Sequence, residues 1–103
     1  LVRQAVVWSR VEAGDHSTAL HSHERTDEWV FILAGRARAR VGDASFEVGP
    51  GDFVAHPAGG PAHRMDPSEP LVYLMGGQRD VDDVIVYPEA GLRRVRGTLV
   101  RVG

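Results

Sequence analysis

The chain has 103 residues, one domain's worth, and its 43% hydrophobic and 25% charged residues match a soluble globular protein with a single small core. It contains no cysteine, which excludes a disulfide framework, a thiolate zinc site, an iron–sulfur cluster and a cysteine nucleophile. Twelve basic residues against fourteen acidic ones leave a formal charge of -2, without the basic excess that a nucleic-acid binder usually carries.

Turn signals recur at short intervals along the chain: Gly14-Asp15, the polar run from Glu24 to Asp27, Gly35, Gly42-Asp43, Gly49 to Asp52, Pro57 to Pro61, Pro67 to Pro70 and Gly76-Gly77. That spacing predicts many short strands. They are expected over residues 2–8, 17–23, 28–34, 36–41, 44–48, 52–56, 62–65 and 71–75, each of strand length. In residues 36–41 arginine alternates with alanine and valine, so Arg36, Arg38 and Arg40 form a solvated outer face. Residues 28–33 are apolar on both faces after Glu28, so Trp29, Phe31 and Leu33 need cover from a partner chain or the N-terminal strand. About eight antiparallel strands in 75 residues imply a small sandwich, jelly roll or barrel. The last quarter reads as an acidic loop with Asp80, Asp82 and Asp83, a short strand over 84–88 and a basic tail strand around Arg93, Arg94 and Arg96. Charge runs of this length are usually solvated surface.

All twelve basic residues are arginine, and the absence of lysine removes Schiff-base and P-loop lysine chemistry, so five histidines are the remaining chemical resource. His21-Ser22-His23 on a strand sends both imidazoles to one face, because side chains at i and i+2 point together. Four polar residues follow before Glu28 opens the next strand, and a hairpin there returns the carboxylate beside the two imidazoles. Downstream, the turn Pro57-Ala58-Gly59-Gly60-Pro61 delivers His63 to the start of a later strand as a third imidazole. Three histidines with one carboxylate suit divalent iron, manganese, nickel, cobalt, copper or zinc, and not calcium.

These residues resemble the motifs of the cupin family. The first motif, close to Gly-x5-His-x-His-x4-Glu-x6-Gly, is met without a gap by His21, His23, Glu28 and Gly35, with Gly14 one residue early and Asp15 in the usual glycine place. The second, close to Gly-x5-Pro-x-Gly-x2-His-x3-Asn, is met by Gly51, Pro57, Ala58, Gly59 and His63 with one extra residue in the turn; Pro67 stands where the asparagine would, beside Asp66. The likeness spans about residues 14–75. It implies an all-β double-stranded β-helix, the jelly-roll barrel of cupins, with one divalent transition metal per chain bound by His21, His23, Glu28 and His63. The family spacing favours Glu28 over its neighbour Asp27. The tail residues Gly77-Gln78-Arg79, Asp82, Asp83 and Tyr87-Pro88 are similar to those of small bacterial single-domain cupins.

One domain over residues 1–103 is expected, with the barrel over about 1–76 and an extension from about 77. His16, near a turn, is expected to be exposed. His56, ending a strand before Pro57, reads as a group facing the pocket that orients a ligand or substrate. Tyr73 and Met75 share one strand face and either line the cavity or pack the core. Four protein ligands on a six-coordinate metal leave two positions for a substrate, dioxygen or water. The leading expectation is therefore a metal-dependent enzyme on a small molecule, either oxygenating a diol, diketone or thiol or isomerising or epimerising a sugar-like compound. The alternatives are a non-catalytic module that binds or senses a sugar or metabolite, and a metal-storage or structural role. A homodimer covering Trp29, Phe31 and Leu33 is expected, with no nucleic-acid or membrane partner. No signal-like opening and no apolar run near the roughly 20 residues of a membrane span make the cytoplasm the expected compartment.

Overall fold

Alternating apolar residues in short segments build strands that each bury one face, and in the computed structural model, which describes residues 2–101, these strands stack as two antiparallel layers. The first layer contains β1 (Gln4–Val11), β8 (Leu71–Gln78), β3 (Glu28–Ala34) and β6 (Phe53–His56), side by side in that order. The second begins with β5 (Ala44–Val48), β4 (Ala37–Val41) and β7 (His63–Pro67). A backbone bridge between His63 and His21 joins these to β2 (Ser22–His23), and β2 continues through β9 (Val84–Tyr87) and β10 (Leu92–Val95) to β11 (Thr98–Arg101). The described residues contain no helix, and hence none long and apolar enough to cross a membrane. This is the all-β cupin jelly roll that the motifs imply.

Inward-pointing side chains from both layers fill the core: Val30 and Ile32 of β3, Leu71 and Tyr73 of β8, Ala37 and Ala39 of β4, with Val48 and Met65. The alanines pair with larger core neighbours, Ala37 with Val48 and Ala39 with Met65, and Arg36 and Arg38 are exposed on the other face of their segment, as the alternation requires. Glu28, Val30 and Ile32 point inward in register, which leaves Trp29, Phe31 and Leu33 on the outside.

Four expectations are corrected. Gly76-Gly77 is not a turn but the continuation of β8, where a Cβ on Gly76 would overlap the Trp29 ring and one on Gly77 would lie 2.6 Å from the Asp27 carbonyl oxygen. Here glycine serves close approach and not chain reversal. The strand expected over 17–23 shrinks to Ser22–His23. Ser17 exchanges backbone and side-chain hydrogen bonds with Met65, and the Ala19 carbonyl accepts from His21, so local bonds replace a ladder. The N-terminal strand does not cover Trp29 either; β1 extends the same sheet beside β8. The short strand expected over 84–88 is β9, but the basic tail strand is two strands, since β10 and β11 form a hairpin over Arg96-Gly97 with Arg96 at a φ of +48°.

Candidate metal centre

Each proposed ligand is delivered by a strand end at one end of the barrel. Glu28 begins β3, His63 begins β7, and His21 and His23 flank Ser22 in the short segment wedged between β7 and β9. The pleat sends residues 21 and 23 to one face while Ser22 points away. The Pro57–Pro61 turn is held against this segment by Gly59 N–H donating to the His23 carbonyl at 2.8 Å and Ala58 N–H donating to Asp27 Oδ1 at 2.8 Å. Its extra residue is thus accommodated without displacing His63. That hydrogen bond also accounts for Asp27, whose carboxylate turns towards Ala58 while Glu28 faces the histidines.

The Glu28 carboxylate is the centre of the group. His23 Nε2 lies 2.7 Å from Oε2, His63 Nε2 3.4 Å from Oε1 and His21 Nε2 3.9 Å from Oε2. His21, His23 and Glu28 place one ligand atom each within 4.8 Å of one another, the spacing of a site that could hold a metal ion. The His21 ring centroid is 5.1 Å from that of His23 and 4.6 Å from that of His63. Burial works against a charge on Glu28, but hydrogen bonding to His21, His23 and His63 outweighs it and holds the carboxyl far below the ordinary range. The hydrogen bond to Glu28 raises His23 against the opposing effect of burial, with Asp83 adding to the rise.

The far nitrogens decide what this arrangement can hold. His21 Nδ1–H donates to the Ala19 carbonyl at 2.9 Å, and His23 Nδ1–H donates to Asp83 Oδ2 at 2.7 Å. A neutral imidazole with its proton on Nδ1 presents a lone pair at Nε2, so in that form both rings would aim lone pairs at the oxygens of an ionised carboxylate, whereas a ring protonated on both nitrogens donates to it. Acceptor facing acceptor is unfavourable unless a proton or a cation lies between them. The donor set, three imidazole nitrogens and one carboxylate, matches what divalent transition metals take.

His56 stacks directly on His63, with ring centroids 3.5 Å apart and planes 7° apart, and it pairs with Glu28 across β3 and β6. Burial, reinforced by the neighbouring His63, pushes it down to about 4. Met75 lines a cavity of about 120 Å³ beside His23 and Glu28, together with Ala5 and Val7 of β1 and the polar Thr26 and Gln78. Tyr73 belongs to the core; burial pushes its hydroxyl up, against a hydrogen bond with Ser9. His16 is exposed and pairs with Asp66 at 2.7 Å. The acidic loop was expected to be solvated throughout, and Asp80 and Asp82 are, but the Asp83 side chain is only 11% exposed and accepts from His23, Thr26 and the Arg25 amide. The single available signal in the sequence, an acidic residue before an apolar run, does not distinguish it from its neighbours.

Comparison with other proteins places this geometry in context. The family model for the cupin domain matches residues 7–77. Among solved structures, a provisionally assigned sugar phosphate isomerase from Acidithiobacillus ferrooxidans superposes with a TM-score of 0.87 at 31% identity, over 95% of this chain and 65% of its own. A cupin-superfamily sugar phosphate isomerase from Silicibacter pomeroyi has a TM-score of 0.85 at 24% identity, over 97% and 67%. Bacillus subtilis oxalate decarboxylase, with its Mn(II) centres, has a TM-score of 0.64 at 29% identity, over 76% of this chain and 22% of that one. The chain thus spans about two thirds of the first two relatives. No curated protein matches it. With two motif histidines and the motif glutamate gathered at one end of the barrel, and the family model running through most of both sheets, the chain belongs to the cupin superfamily.

Proposed function

We propose that this protein is a divalent-metal-dependent cupin enzyme acting on a small polyhydroxy carbonyl compound by isomerisation or epimerisation, with His21, His23, Glu28 and His63 as the metal ligands. The observation that carries the metal reading is the convergence of three imidazole Nε2 atoms on one ionised carboxylate, with Nδ1 of His21 and of His23 each held by an acceptor on the far side. A bound divalent metal would supply Lewis-acid polarisation of a carbonyl. The chain's own residues supply the lining: Ala5, Val7 and Met75 form an apolar wall, and Thr26 and Gln78 offer polar contacts. The 31% identical relative from Acidithiobacillus ferrooxidans supports the choice of a sugar-like substrate over oxygenation. No arginine lines the cavity among the described residues, which favours an uncharged compound over a phosphorylated one.

A second reading, binding or sensing without turnover, is favoured by one specific observation. Each polar side chain lining the cavity already holds a hydrogen bond: Thr26 donates to Asp83, Asp27 accepts from Ala58, Gln78 accepts from the Asp27 amide, and His23 is held by Glu28 and Asp83. A base free to move a substrate proton is therefore not apparent in the wall. Elemental analysis of purified protein followed by NMR of aldoses and ketoses in D2O separates the readings. Stoichiometric metal with solvent deuterium appearing at the carbon beside the carbonyl supports isomerisation. Oxygen uptake with catechols, diketones or thiols replaces it with oxygenation, and saturable sugar binding without exchange replaces it with sensing.

We also propose a homodimer. The outer face of the first sheet exposes Val6, Trp8, Leu33 and Phe53, with Trp29 stacked 5.8 Å from Phe53, a continuous apolar surface of the kind that a second copy of the same face covers.

A further inference from the structure

We infer that the segment following the matched cupin domain is part of the metal centre, with Asp83 as a positioning residue that aims His23 at the ligand cluster and fixes the loop between His23 and Glu28. The inference rests on the metal reading proposed above. The family model ends at residue 77, and Asp83 lies in the turn before β9, closed by Asp83 N–H donating to the Asp80 carbonyl at 3.0 Å.

Three donors converge on this one carboxylate. His23 Nδ1–H reaches Oδ2 at 2.7 Å, the Thr26 hydroxyl reaches the same oxygen at 3.0 Å, and the Arg25 amide reaches Oδ1 at 2.9 Å. Thr26 is buried. The carboxylate thus grips the side chain of one ligand and two residues of the four that separate it from Glu28. A hydrogen bond to Nδ1 settles which ring nitrogen carries the proton and which offers its lone pair, and a carboxylate acceptor does so more strongly than a carbonyl. His21 Nδ1 meets the uncharged Ala19 carbonyl and Thr18 hydroxyl, and buried His63 Nδ1 has no partner among the described residues, so His23 is the ligand with the strongest outer support.

The segment is tied to the ligand strand by more than this one group. β9 pairs with β2 through Ser22 with Val86 and His23 with Ile85, and Glu24 N–H donates to the Val84 carbonyl at 2.9 Å. Arg93 of β10 pairs with Glu24 at 2.7 Å, and Asp80 with Arg25 at 3.4 Å. The backbone therefore holds Asp83 beside His23 independently of any ion.

Two readouts test the assignment in the full chain: affinity for zinc(II), by competition with a chelating dye, and the His23 Nδ1–H resonance in metal-free protein, by long-range 1H–15N NMR. D83A is expected to bind zinc about 10- to 100-fold more weakly and to lose the slowly exchanging, downfield Nδ1–H signal. D83N preserves the packing volume should D83A fold poorly, and is expected to weaken zinc binding in the same direction. D82A, in the same turn but paired with Arg96, serves as control and is expected to match wild type. Zinc affinity within twofold of wild type in folded D83N, with the His23 signal unchanged, overturns the inference. Wild-type protein that takes up no zinc, while the His23 signal is still lost in D83A, overturns the metal reading and upholds the positioning role.

Discussion

Replacing Trp8 with alanine is expected to dissociate the proposed dimer while leaving the protomer folded. Trp8 lies on the outward face of β1, opposite Leu74, and 61% of it is exposed in the single chain. An aromatic side chain buries roughly 150–250 Å² when fully covered, so a partner covering the exposed part removes about 150 Å² from water. At about 25 cal/mol per Å² this contributes about 3 to 4 kcal/mol per protomer. Two-fold symmetry counts it twice, about 6 to 8 kcal/mol per dimer, and at 1.4 kcal/mol per decade the dissociation constant rises by roughly four to six decades. Phe31→Asp, on the same face in β3, is expected to give monomer or insoluble protein through a charge placed against apolar surface. Sedimentation velocity across a concentration series reads both variants. A wild-type protein that is monomeric at tens of micromolar, or a W8A dimer as tight as wild type, refutes the argument that this face meets a second copy.

Changing His21 and His23 together to alanine is expected to abolish stoichiometric metal; full occupancy by elemental analysis in the folded variant would show the centre to be elsewhere. Gly35→Ala should cost roughly 3 kcal/mol, because φ is +87° there and a Cβ would overlap the Pro70 carbonyl oxygen. Gly76→Ala, which meets the movable Trp29 ring, should cost roughly 1–3 kcal/mol; thermal unfolding orders the two. Asp66 tests acid stability. Burial raises its carboxyl, but hydrogen bonds from His16 and Arg64 outweigh it and hold the folded value below the ordinary one. A depressed folded value contributes stability above the unfolded pKa of about 3.9, lost as pH falls through the folded value. The difference in melting temperature between wild type and D66N should therefore narrow below about pH 4, and a constant difference down to pH 2 would discount the pairing.

The parts of the site legible in the sequence are those governed by local geometry. His21, His23 and Glu28 are separated by one and four residues, so strand alternation and one hairpin suffice to bring them together. The outer placement of Trp29, Phe31 and Leu33 follows from the same period. What alternation does not carry are contacts across distant chain. Asp83 meets His23 over sixty positions, and nothing local distinguishes a carboxylate with three donors from its immediate neighbour Asp82, which is exposed and pairs with Arg96. Gly76-Gly77 resembles a turn because glycine usually ends strands; its purpose there depends on where the Trp29 ring lies, which is a tertiary fact. The His56 stack on His63 likewise depends on β6 and β7 belonging to opposite layers.

β2 is two residues long, yet it pairs with β9 on one side while the adjoining His21 bridges to His63 of β7 on the other, and so makes the second layer continuous. A sheet opens more easily where it has few rungs, so the seam along β2 should exchange its amides faster than the long central pairing of β3 with β8. Both histidines of the first motif sit on that seam. Parting it would loosen two ligands at once while the core around Ile32 and Leu71 stays closed. Metal exchange would then follow the breathing of one short strand, and the residence time of an ion would be set by the hydrogen bonds on either side of Ser22 as much as by its ligands.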